Sequence, residues 1–180
     1  MKKIKFGIAL GYSGKLMKDI YKSWSILRKK FNVKYIGVER LPHITLFSGD
    51  IYLKNQELIY KKLKKCSFKK FKLRSPGLGI FATDKPNLFI RWERNKNLID
   101  IREHIKTKIS KNFINVSLFC EDKIWEPRSV IAWQDLKYQD LFKIKKSLNF
   151  LFKNHNVNVD SFLLTDHTVK EKIIHKINFK

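Results

Sequence analysis

The sequence is short of acidic side chains and cysteine, and it has no long apolar run. No stretch approaches the roughly 18 apolar residues that a membrane-spanning helix needs. The N-terminal Met1-Lys2-Lys3 is basic, but the apolar stretch behind it is only Ile8 to Leu10, between Gly7 and Gly11. That is too short for a signal-peptide core and reads as a first strand. The two cysteines, Cys66 and Cys120, are far apart, and neither belongs to a Cys-x-x-Cys pair. A zinc site is therefore not expected, and a reducing, cytoplasmic compartment fits. Gly11-Tyr12-Ser13-Gly14-Lys15 is too short and wrongly spaced for a phosphate-binding Walker loop. Only 16 Asp and Glu face 39 Lys and Arg, a net charge of +23. Such a surface attracts polyanions, and RNA or DNA fits it better than an anionic membrane. Lysine far outnumbers arginine, and Asn, Ile and Phe are abundant, as AT-rich codon drift would produce. Drift accounts for lysine over arginine and less well for the missing acids.

What is present is enough apolar material for a core. The chain has 180 residues and 43% hydrophobic content, which predicts one ordered domain. The most informative stretch is Leu41-Pro42-His43-Ile44-Thr45-Leu46. In a strand, residues two apart share a face. His43 and Thr45 then stand side by side above the sheet, while Ile44 and Leu46 enter the core. An imidazole moves protons near neutral pH, and a neighbouring hydroxyl can hold a phosphate oxygen. One His-x-Thr triplet is also what a half-buried strand with a solvated histidine would show.

Along the chain, Ile4–Leu10 predicts a strand. Met17, Ile20, Trp24, Leu27 and Phe31 mark an amphipathic helix, and Val33–Val38 a short strand before the Glu39-Arg40 loop. The His43 strand ends at Gly49-Asp50. Asn55 is positioned to cap a helix carrying Leu58, Ile59 and Leu63. Phe71–Arg74 is a strand broken by Ser75-Pro76-Gly77. Asn87–Trp92 is a strand, and Leu98, Ile101, Ile105 and Ile109 mark a helix. Phe113–Phe119 and Trp125–Trp133 are strands. Leu141, Ile144, Leu148 and Leu151 mark a last helix, and a hairpin over 157–164 and 172–179 turns around Asp166-His167.

The order strand, helix, strand, loop, proline and strand occurs twice. Phe6 to His43 is 37 residues and Phe89 to Arg128 is 39. This predicts an internal duplication, with halves of about 1–75 and 87–180 interleaved in a single domain over 1–180. Pro42 aligns with Pro127, and His43 with Arg128. The expected architecture is α+β: two mostly antiparallel sheets flanking a central cleft, with helices outside.

With those residues in view, the sequence resembles the two-histidine (2H) phosphoesterase superfamily, which includes the 2′-5′ RNA ligase and cyclic phosphodiesterase families. Pro42-His43-Ile44-Thr45-Leu46 matches that family's first His-x-Thr motif in full. Trp125-x-Pro127 resembles the lead-in to its second motif, 85 residues after His43 at Arg128. Ile131-Ala132 with Asp135-Leu136 resembles the exit. The resemblance implies a bilobed fold and a metal-independent phosphodiesterase with no cofactor. Its expected ligand is an RNA end or nucleotide with a 2′,3′-cyclic phosphate or a 2′-5′ linkage. It also implies proton transfer by His43 and a phosphate contact from Thr45. The second motif departs from the family, with Arg128 at the histidine and Val130 at the hydroxyl position. Arginine stays charged and cannot trade a proton, but it can clamp a phosphate. A non-catalytic relative that binds RNA or nucleotides in the same cleft is the alternative.

Three further residues are candidates. His167 is a replacement for the missing histidine, although it lacks a preceding proline and has Val169 where threonine should stand. Tyr12 and Trp125 are candidates for stacking on a base, chosen from a set that also includes Phe47, Trp92 and Trp133. In a regular strand Ser129 is out of phase with the lost hydroxyl and faces away from the cleft. A monomer is expected.

Overall fold

The computed structural model describes residues 1–34, 41–168 and 172–180. The first strand, β1 (Lys3–Ser13), is longer than its apolar run predicts. Phe6, Ile8, Leu10 and Tyr12 form one buried phase of this strand. Its other face carries Lys5, Gly7, Ala9 and Gly11. The expected turn shrinks to Gly14, whose φ of 135° is open to glycine alone. Helix α1 (Lys15–Phe31) buries Leu16, Ile20, Trp24 and Leu27. It ends on Asn32 in the left-handed region, with Arg28, Lys29 and Lys30 against the negative end of the helix dipole. Val33 is buried but belongs to no strand. The rest of the strand expected over 33–38, and the Glu39-Arg40 loop, lie almost wholly outside the described residues.

β2 (His43–Tyr52) follows, then α2 (Asn55–Lys64) and β3 (Phe71–Ser75). Asn55 does not cap α2. Its side chain instead donates to the Asn112 carbonyl at 2.9 Å. Pro76 does not end a layer of structure. The chain crosses it from β3 directly into β4 (Gly77–Phe81), a strand the sequence reading lacked, with Gly77 at φ 124°. Then come β5 (Asn87–Arg91), α3 (Lys96–Ile109, capped by Asn95 Oδ1) and β6 (Phe113–Val116). The chain continues through β7 (Arg128–Ala132), α4 (Leu141–Ser147), β8 (His155–Asp166) and β9 (Lys172–Asn178).

Among the described residues there are two sheets, both antiparallel. The larger runs β3-β8-β1-β2-β6, with β9 also paired to β8. The smaller runs β4-β5-β7. This is the α+β architecture of two antiparallel sheets expected from the sequence. β1–α1–β2 returns to the antiparallel neighbour of its first strand, and β7 pairs with β5 after α3 and an excursion through β6 in the larger sheet. α1 lies against β7 and β8, while α2 and α3 lie against β2.

The segment expected to be a strand over 113–119 stops at Val116. It joins the larger sheet beside β2 and then makes a 3₁₀ turn over Leu118–Cys120. Ser117 N–H donates to the Ser48 carbonyl at 2.8 Å, which ties that turn to β2. Gly49 allows the approach, because a Cβ there would sit 2.1 Å from the Asn115 carbonyl oxygen. Gly49→Ala should lower the unfolding free energy by about 1–3 kcal/mol, the usual cost of forcing atoms into a closed space. A urea melt measures it, and an unchanged midpoint would mean that β6 does not need this close approach.

Candidate functional site

β2 sets out the first half of the site. Ile44 and Leu46 are fully buried, while His43 and Thr45 point to the opposite face. The β1–β2 register skips Leu46, since Ile8 pairs with Phe47 and Ala9 with Thr45. This bulge shifts the alternation, so the next β2 residue to join His43 and Thr45 is Ser48. The His43 ring is oriented by its own loop, with Nδ1 2.8 Å from the Leu41 carbonyl. A proton held on Nδ1 leaves Nε2 as the basic nitrogen.

β7 sets out the second half. Ser129 and Ile131 are buried, while Arg128 and Val130 turn to the other side. Ser129 faces away from the cleft, as its phase predicts. Its hydroxyl donates to the His43 carbonyl at 2.8 Å, and accepts from the Tyr12 hydroxyl and Trp92 Nε1, each at 3.0 Å. With β2 and β7 so joined, His43, Thr45, Arg128 and Val130 line one cavity of about 440 Å³. The Arg128 guanidinium lies against the Phe81 and Phe119 rings and donates to the Glu126 carbonyl. Burial lowers its pKa, opposed by Cys120 and Glu126. The Glu126 carboxylate, in the same wall, is engaged by Arg91 at 2.9 Å and Arg94 at 3.5 Å.

The remaining candidates divide. Tyr12 is a correction: it is a core residue, not a cavity residue. It shares the apolar phase of β1, its ring packs on Trp92, and burial drives its hydroxyl pKa upward. Trp125 does reach the cavity, but only 3% of it is exposed. Its Nε1 donates to the Thr45 carbonyl at 3.0 Å, and the Arg102 guanidinium covers the ring. So little exposed ring leaves it a strut for β2 rather than a platform for a base. Of the other aromatics, Phe47 and Trp92 are core, and Trp133 lines the cavity.

His167 is also in the cavity wall. Its ring lies over Gly7, whereas His43 pairs with Gly11, four residues along β1. That is about 13 Å of strand, so the two histidines stand at opposite ends of the cavity wall along β1. Lys5, Ser48, Ser117 and Cys120 line the cavity as well and carried no sequence signal. Burial raises the Cys120 thiol pKa, and Ser48 Oγ lies 3.3 Å from its sulfur.

No family model matches the sequence, and no curated protein matches it. Solved structures do match. E. coli LigT in apo form aligns over 100% of this chain and 99% of its own, with a TM-score of 0.68 at 10% identity. The protein TT0787 of Thermus thermophilus aligns over 98% of both chains, with a TM-score of 0.71 at 13% identity. LigT complexed with 3′-AMP aligns over 99% of both, with a TM-score of 0.67 at 10% identity.

The chain has a LigT-like fold. The α+β architecture of two antiparallel sheets expected from the sequence is therefore the one observed. Within this LigT-like fold, β2 and β7 bring the His43 imidazole, the Thr45 hydroxyl and the Arg128 guanidinium to the cavity. The first can carry a proton, and the other two can hold oxyanions.

The alignment of those strands depends on Ser129. Ser129→Ala would strand the buried Tyr12 hydroxyl and Trp92 N–H and the part-buried His43 carbonyl, each buried group costing about 1–3 kcal/mol when unsatisfied. The expected loss is at least about 2 kcal/mol in a urea melt, well above that of an ordinary serine-to-alanine change. A loss near zero would mean that β2 and β7 are held together by packing alone.

Proposed function

We propose that the chain is a metal-independent phosphodiesterase of the 2H phosphoesterase type. Its substrates are RNA ends or small nucleotides with a 2′,3′-cyclic phosphate or a 2′-5′ linkage. The observation that carries this reading is the convergence of His43, Thr45 and Arg128 on one cavity in a LigT-like fold. A LigT structure holds 3′-AMP, a nucleotide of the kind such hydrolysis yields. In this reading His43 Nε2 takes a proton from the attacking water. The water oxygen bonds to phosphorus, and the bond from phosphorus to one ribose oxygen breaks. The departing oxygen takes up a proton from solvent, the proton on His43 is returned to solvent, and the product is a phosphomonoester. Arg128 pairs with two non-bridging oxygens, and the Thr45 hydroxyl donates to one. With arginine in place of a second histidine, that departing oxygen lacks one dedicated acid. The loss of an acid–base group typically costs about 10²–10⁴ in rate.

A second reading is a relative that binds RNA or nucleotides in this cavity without turning them over. Arg128 and Val130 favour it, since neither can take the place of a proton donor and a hydroxyl. Arg128→His with Val130→Thr separates the two. If β7 keeps the register described above, the pair should raise hydrolysis of a 2′,3′-cyclic nucleotide by about 10² or more. Adding His43→Ala should abolish the gain. Should the wild type already be fast and the double variant slower, Arg128 works in a complete site with another proton donor. If neither form turns over cyclic or 2′-5′ substrates, binding becomes the better account.

The partner class rests on the net charge of +23. No described helix is long and apolar enough to cross a membrane. Single-stranded RNA should bind at low salt. Its log affinity should fall with log salt by about 0.7 per phosphate contact, as fluorescence anisotropy can measure. Binding indifferent to salt would count against a polyanionic partner.

A further inference from the structure

The cavity does not stop at Ser48. A second depression of about 270 Å³ adjoins it, and the two share Lys5, Ser48, Ser117 and His167 as a common wall. Asp50 and Asn115 lie beyond that wall. The wall is built, not incidental. His167 N–H donates to the Lys5 carbonyl at 2.8 Å, and Lys5 N–H to Thr168 Oγ1 at 3.2 Å. These bonds continue the β1–β8 ladder one step past the Phe6–Asp166 pair. His167 Nε2 lies 2.8 Å from Thr165 Oγ1. Gly7 makes room for both groups, since a Cβ there would meet them at 2.6 and 2.7 Å. His167 is thus a placed side chain on the face of β1 that carries Lys5.

The chemistry changes across the wall. Lys5 brings a cation, and the His167 ring brings a second group that can donate to a phosphate oxygen. Beyond them the Asp50 carboxylate accepts from Asn115 Nδ2 at 2.9 Å, and Asn115 Oδ1 accepts from the Asp50 N–H at 3.0 Å. A phosphate is attracted to the wall and repelled by the carboxylate. A ribose hydroxyl or a base N–H is a suitable donor to that carboxylate. The wall is also about 13 Å of strand from the His43 end of the cavity, a span longer than one phosphate group.

We infer that the second depression receives the nucleoside next to the reacting end, with the phosphodiester between the two held by Lys5 and His167. The substrate is then the end of an oligonucleotide rather than a mononucleotide. This rests on the assignment of the first cavity to a nucleotide phosphate, and it gives His167 a different duty from that of the missing catalytic histidine.

The test compares affinities for 3′-AMP and for a 3′-phosphorylated adenosine dinucleotide, by calorimetry at fixed salt. The dinucleotide should bind about tenfold tighter, the yield of one charge-assisted contact. In Lys5→Ala/His167→Gln that ratio should fall toward one, and Asp50→Asn should shrink it by a smaller factor. Lys146→Ala, which removes the same charge from α4, should leave the ratio alone, and thermal melts confirm that each variant is folded. A wild-type ratio near one overturns the inference, as does an equal drop in Lys146→Ala. If 3′-AMP does not bind, or if Arg128→Ala binds it as tightly as wild type, the first cavity is misassigned and both readings fall.

Discussion

One hydroxyl group decides where the two sheets meet. β6 pairs with β2 only over Gly49–Ile51, so the first half of β2 has an open edge. A buried carbonyl on such an edge needs a donor. Ser129 Oγ supplies one to His43, Trp125 Nε1 to Thr45, and Ser117 N–H to Ser48. The residues that satisfy this edge come from β7 and the chain leading into it, and the residues they hold are the cavity-facing ones. Backbone satisfaction and site geometry are therefore one constraint. Ser129 also accepts from Tyr12 and Trp92, so its hydroxyl is fully used on a knot of β1, β2, β5–β7 and their aromatics. Sliding β7 by one residue would lose all three bonds and turn Arg128 away from His43.

The parts of this site that were legible in the sequence follow period-two alternation. His43 and Thr45 against Ile44 and Leu46, and Arg128 and Val130 against Ser129 and Ile131, are read from one strand at a time. What was not legible depends on partners. Ser48 joins the cavity because β1 forces a bulge at Leu46, and nothing local to β2 announces it. Lys5 and His167 meet through the β1–β8 ladder, which joins opposite ends of the chain. Phe113–Val116 chose the edge of the larger sheet, and Pro76-Gly77 proved to be a crossing between sheets, not a stop. The sequence around Tyr12 misleads for a different reason. The glycines around it resemble a turn, yet Tyr12 continues the phase of Phe6, Ile8 and Leu10. Counting by twos through Gly11 would have placed it in the core.

Arg128 fixes what this cavity can hold, whichever chemistry follows. A partly buried cation loses hydration, a cost offset only by partners. Here those are two aromatic rings and the Glu126 carbonyl, while the Glu126 carboxylate is committed to Arg91 and Arg94. Among the described residues no carboxylate forms an ion pair with Arg128. An incoming phosphate would supply the missing charge and fit the guanidinium fork. Yet a guanidinium can grip a phosphate without being able to trade a proton with it. In the function proposed above, arginine in the place of a proton carrier would favour affinity over turnover. The orientation of the His43 ring rests on the Leu41 carbonyl behind it, and its strand is held by the Ser129 hydroxyl beneath it.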